Sequence, residues 1–137
     1  MPLSTVSFST PFYVLMNDKR RIGPQMTPPQ AGPECSPIYG FSSKGAYERY
    51  LANSQDTPLL TPYPLVAGFL RTQIEDAGDC LKLVVLDAIG PREPLIHAST
   101  MAAVLESQQN QATPLRALYE LGFDIETDAY RLDNSSV

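Results

Sequence analysis

The chain is short of the residues on which catalytic and metal chemistry usually rest. Its 137 residues include one histidine, His97, and two cysteines, Cys35 and Cys80. A zinc site needs three or four clustered ligands, and no CxxC pair is present to begin one. No metal site is therefore expected, and no cofactor. No stretch approaches the ~18 consecutive apolar residues of a membrane-spanning helix. The first residues, MPLSTVSFST, have neither a basic n-region nor an apolar h-region, so no secretory signal is expected. These absences lead to the expectation of a cytoplasmic protein, away from membranes, with both thiols reduced. The sequence leaves a Cys35–Cys80 bridge open.

Charge is also sparse. Only 18% of residues are charged, and 15 acids against 10 Lys and Arg leave a net charge of -5. Such a balance argues against a nucleic-acid face. The one basic run, Lys19-Arg20-Arg21, reads as a solvated turn. No G-x-S-x-G elbow and no G-x-G-x-x-G fingerprint occurs. The stretch Gly40-Phe-Ser-Ser-Lys-Gly45 has the glycine spacing of a phosphate loop, but Ala46 and Tyr47 follow where Lys and Ser or Thr are required. Its serines are better explained as acceptors for the free N–H groups of a helix start.

What the chain does have is the apolar content of a folded domain, 43% of residues, and a length that lets one domain remove about two-thirds of its surface from water. It also has thirteen prolines against eight glycines. Phe12 to Met16 reads as a strand, and Ile22 to Met26 as a short edge strand. The Pro-rich TPPQAGPECSP reads as an irregular loop. Ile38 to Phe41 is a strand, and Ser42 or Ser43 then caps a helix to Asn53.

Thr61-Pro62 resembles a cap followed by proline at the first helical position, predicting a helix from Pro62 to Ala77 closed by Gly78. Leu65, Val66, Phe69 and Leu70 would form its buried face. Leu81 to Leu86 is nearly continuous in apolar residues and reads as the central strand, with Val84 and Leu86 in the core. A short strand at Leu95 to His97 and a helix over MAAVLESQQN, capped by Ser99 or Thr100, follow. Thr113-Pro114 repeats the cap-and-proline device and predicts a fourth helix over LRALYELG. Phe123 to Leu132 reads as a last strand with acids on an edge. The expectation is one α/β or α+β domain spanning 1–137. It would carry a mixed sheet of about four or five strands and about four helices, with residues 1–10 and 133–137 frayed.

The strand FYVLMND, the strand ending in GFSS at residues 40–43 with the helix after it, and the later strand LKLVVLDA together resemble the N-terminal domain of the SseB family. That family carries an F-[ST]-S turn opening a helix, and the likeness covers residues 12–90. The chain departs from the pattern in its Pro-rich TPYPL segment, and in Asp87-Ala88 where the family has Asn-Pro. The resemblance implies a small α/β domain without established catalytic residues.

Candidate binding residues are Tyr39, Ser42, Ser43, Tyr63, Asp87 and His97; no catalytic residue is assigned. Asp87 ends an apolar strand, where α/β sheets place ligand groups, although it would also cap the following turn. His97 beside Asp87 is the only nucleus around which a hydrolytic or small-ligand site could form. More often a lone histidine by an apolar segment is structural. Tyr39, Tyr47, Tyr50 and Tyr63 cluster around the Pro-rich turns, and tyrosine suits half-buried interfaces. The function expected is a non-enzymatic protein-interaction module with a protein partner, and a homodimer is possible. Its contact surface would be the loop from Thr27 to Pro37 with Tyr63 and the TPYP turn; alternatively, that loop is a disordered spacer whose prolines merely prevent regular structure.

Overall fold

The computed structural model describes residues 7–27, 34–54, 60–110 and 114–135. It is a mixed α+β structure. The strands are β1 (Ser7–Phe8), β2 (Tyr13–Asn17), β3 (Arg20–Arg21), β4 (Cys35–Phe41), β5 (Thr61–Pro64), β6 (Leu81–Leu86), β7 (Leu95–Thr100), β8 (Leu115–Arg116), β9 (Tyr119–Asp124) and β10 (Ala129–Ser135). The helices are α1 (Lys44–Ala52), α2 (Ala67–Glu75) and α3 (Met101–Gln109). Eight strands form one sheet in the order β10-β9-β7-β6-β4-β2-β3, with β5 pairing β2. β1 and β8 form a separate two-stranded sheet. The sheet is thus larger than the four or five strands expected. Of the termini expected to fray, Ser7–Phe8 form β1 and residues 133–135 end β10, while 1–6 and 136–137 lie outside the described residues.

β6 is central, as its apolar run predicts, parallel to β4 and antiparallel to β7. Alternation sends Leu83 and Val85 to one face and Val84 and Leu86 to the other, and all four are buried. α2 and α3 cover the second face through Leu70, Met101 and Val104. α1 covers part of the first through Tyr50, beside Leu15, Phe41, Tyr119, Leu121 and Tyr130. α1 starts where the serines predict: Ser43 Oγ accepts from the Ala46 N–H at 3.2 Å. α3 is capped by Thr100, whose Oγ1 accepts from the Ala103 N–H at 3.0 Å.

Three expectations are corrected. The helix predicted from Pro62 begins at Ala67, because Thr61–Pro64 is the strand β5, antiparallel to β2. Val66 consequently stands outside the core, 46% exposed, and Phe69 is only partly buried, while Leu65 and Leu70 are buried. The fourth helix is absent among the described residues, since LRALYELG supplies β8 and most of β9. Its Leu115, Ala117, Tyr119 and Leu121 are buried at a period of two, which a strand satisfies and a helix does not. Finally, the single strand expected at Phe123 to Leu132 is the hairpin between β9 and β10.

The edge expected at Ile22 to Met26 is instead a strap across one end of the sheet. Arg20–Arg21 forms the short hairpin strand. The chain then crosses, with Tyr39 N–H donating to the Ile22 carbonyl at 3.0 Å, and Tyr130 N–H to the Gln25 carbonyl at 2.8 Å. Thr27 N–H returns a bond to the Tyr130 carbonyl at 2.7 Å. The strap therefore joins β4 to the outer edge of β10, and the sheet curls towards a barrel on the face that α1 covers.

Candidate functional site

Between the strap, α1 and the β9–β10 hairpin lies a cavity of about 490 Å³. This volume falls in the ~300–1,000 Å³ range of ligand pockets, and barrel mouths are a common place for them. Tyr39, Tyr50 and Tyr130 line it, with Phe123 and Ile22, while Gln25, Ser54, Arg92 and Asp128 add polar groups. The three tyrosines are almost wholly buried. Two ring pairs lie here, Tyr39 with Tyr50 at 4.8 Å and Phe123 with Tyr130 at 5.2 Å between centroids.

Their hydroxyls are engaged within the protein. Tyr130 donates to the Glu93 carbonyl at 2.6 Å, and Tyr39 and Tyr50 hydrogen-bond to one another. Burial is the main cause that pushes the Tyr39 phenol far above its ordinary range, followed by Tyr50 and Tyr130. Burial, then Glu93 and Tyr50, raises Tyr130 in the same direction. Neither phenol supplies a base or a nucleophile at neutral pH. The Arg92–Asp128 ion pair, 3.3 Å apart, is well exposed to solvent and adds little holding energy.

A second cavity of about 360 Å³ is lined by Asp87, His97, Arg49, Glu93 and Phe8. Asp87 and His97 do share a site, as their sequence positions allow. Their polar atoms are turned elsewhere. Asp87 Oδ1 accepts the Ser42 N–H and Oδ2 the Ser42 hydroxyl, both at 2.7 Å. The carboxylate thus sits across the strand end just before α1, where a phosphate loop would need an empty cradle. Asp87 takes φ 51, a left-handed backbone that Asp tolerates better than most residues. His97 Nε2 lies 3.2 Å from Glu120 Oε2, and its ring packs 5.5 Å from Phe8. A hydrolytic relay places the histidine between the hydroxyl and the acid. Here the serine donates directly to the acid, and histidine pairs with a different carboxylate.

The sequence candidates therefore separate. Tyr39 lies in the tyrosine-lined mouth. Asp87 and His97 line the second cavity, Ser42 is held to Asp87 beside it, and Ser43 serves α1 as its N-cap. Tyr63 stands on the other face of the sheet, half exposed in β5. Of the loop expected to bind, residues 28–33 lie outside the described residues, and Cys35–Pro37 open β4. Tyr50 and Tyr130 were not singled out as site residues. Tyr50 belongs to the tyrosine cluster of the sequence, but no local pattern brings Tyr130 to Tyr39 from so far along the chain.

The thiols of Cys35 and Cys80 are free, and burial, with Cys80 second, pushes Cys35 up to about 11. Among the described residues no group of three or more His, Cys, Asp or Glu could hold a metal ion, and no helix is long and apolar enough to cross a membrane. Comparison with family models, with curated proteins and with solved structures finds no match.

Proposed function

We propose that this protein is a non-enzymatic protein-interaction module whose recognition site is the tyrosine-lined mouth. One observation carries the reading: the cavity of about 490 Å³ has a floor of three buried tyrosines, and the residues lining it include no nucleophile set beside a base. A rigid aromatic floor with amide and charged groups around it suits a partner's apolar side chain, since aromatic rings add area at small entropic cost. The resemblance to the SseB family, which implies no catalytic residues, agrees with this reading. A photoreactive phenylalanine analogue replacing Gln25, at the mouth, should crosslink one defined partner. The same analogue at Gln109, exposed on α3, should not. Equal capture at both positions, or none at either, refutes the assignment.

The alternative, a small-ligand or hydrolytic site at Asp87 and His97, is supported by their sharing one cavity. Ester or amide hydrolysis by the purified protein that is abolished by His97→Gln would establish it at the expense of the non-enzymatic reading.

A further inference from the structure

The opposite face of the sheet carries a guanidinium without a counter-charge. Arg21 comes from the short hairpin strand β3, and its Cζ lies 3.6 Å from the centroid of the Phe69 ring on α2. The Tyr63 ring of β5 stands 6.0 Å from the same carbon. Both distances are within the ~6 Å reach of a cation–π contact. Arg21 Nε is buried and has no hydrogen-bond partner. None of the described ion pairs or hydrogen bonds involves its guanidinium. A cation drawn partly out of water usually acquires a carboxylate partner, because an unpaired one is costly. Desolvation lowers the affinity of Arg21 for its proton, with Tyr63 opposing, and this matches a charge held among rings with no acid beside it.

The surroundings suit a partner segment. Lys19 and Arg20 are exposed beside Arg21 in the only run of three basic residues in this acidic chain. Tyr63 is 50% exposed and Val66 46% exposed, so apolar surface adjoins the charge. Planar, fork-shaped and already stacked, the Arg21 guanidinium loses little freedom when it takes a carboxylate. Arginine and tyrosine are among the residue types that dominate interface energies.

We propose that Arg21, framed by Phe69 and Tyr63, is the anchor of a docking surface for an acidic peptide segment, its carboxylate received by the guanidinium and a neighbouring apolar side chain resting against Tyr63. Local charge complementarity favours an acidic peptide, whereas the net charge of the whole chain opposes a long polyanion such as RNA. The surface lies on the face opposite the tyrosine-lined mouth, and the proposal stands whatever occupies that mouth.

The test titrates the full chain at low salt with a capped peptide of alternating Leu and Glu, followed by NMR. Saturable binding should shift the resonances of Arg21, Tyr63 and Phe69, and added salt should weaken it. Arg21→Gln should lower affinity about tenfold or more, as loss of a charge-assisted hydrogen-bond pair does. Arg21→Lys should recover only part of the loss, because a point charge does not replace the fork. Tyr63→Ala, at an exposed position, should weaken binding while leaving the melting temperature unchanged. This variant decides the matter if Arg21→Gln fails to fold. Absence of peptide binding overturns the proposal. So does equal binding by Arg21→Lys and Tyr63→Ala, or tighter binding of inorganic phosphate or a single-stranded oligonucleotide at the same resonances. Replacing Gln25 at the mouth should leave this titration unaffected, so the two binding readings fail separately.

Discussion

At the scale of single residues, close contacts between backbones set the shape of the mouth. Gly23 lies in the strap, and a Cβ built on it would stand 1.9 Å from the Pro37 carbonyl oxygen and 2.8 Å from its carbon. The obstacle is main chain of β4, which no rotamer change can move. Gly23→Ala should therefore push the strap off β4, losing the Tyr39 to Ile22 bond, at a cost of about 1–3 kcal/mol in urea melts, as overpacking does elsewhere. Gly68→Ala is the control, because nothing lies within 4 Å of its added Cβ. Alanine is also a better helix former than glycine. That variant should be neutral or slightly stabilising. A Gly23→Ala variant as stable as the parent would mean that the strap does not pack against Pro37 as described. Asp87 shows the converse at residue scale: its carboxylate fastens the end of β6 to Ser42, so a position that sequence marks for ligands holds two strand ends together.

At the scale of elements, legibility tracked how local the determining force was. The helix starts at Ser43 and Thr100 were readable because a cap is a side chain bonded to its own neighbours three residues on. The central strand was readable because burial on both faces imposes an apolar run. From Pro114 onward cap-like letters and good helix formers favour a helix locally, against the alternation at Leu115, Ala117, Tyr119 and Leu121 that the strand satisfies. Pairing of β9 with β7 and β10 decides that segment, and no short window contains it.

The TPYP segment erred in the same way. Two prolines at alternate positions are a signature of an edge strand. Leu65 N–H donates to the Phe12 carbonyl, so by alternation Tyr63 and Thr61 also face β2, and Pro62 and Pro64 face outward. The free side of β5 therefore offers no N–H at its two outward positions. Replacing both Pro62 and Pro64 by Val should unmask a donor edge and produce concentration-dependent dimers or larger species in gel filtration. A strictly monomeric double variant would show that these prolines do not guard the edge.

At the scale of the whole molecule, the tyrosine cluster makes the curled sheet sensitive to alkali. Tyr39 and Tyr130 are raised above the ordinary tyrosine value of 10.0, chiefly by burial, so the unfolded chain releases these protons first. Stability from keeping the phenols neutral is present below about pH 10 and is lost as pH rises toward the folded-state values. Cys35 adds to the trend earlier, between its ordinary 9.0 and about 11. The urea midpoint should be flat from about pH 7 to 9 and then fall continuously, with tyrosinate absorbance appearing only as the fold is lost. Tyr39→Phe should flatten the alkaline slope, since it removes the most strongly shifted group while keeping the ring that packs on Tyr50 and Phe41. If tyrosinate formed fully near pH 10 in a still-folded protein, the cluster would be open to water. The mouth would then lack the dry aromatic floor on which its role in recognition depends.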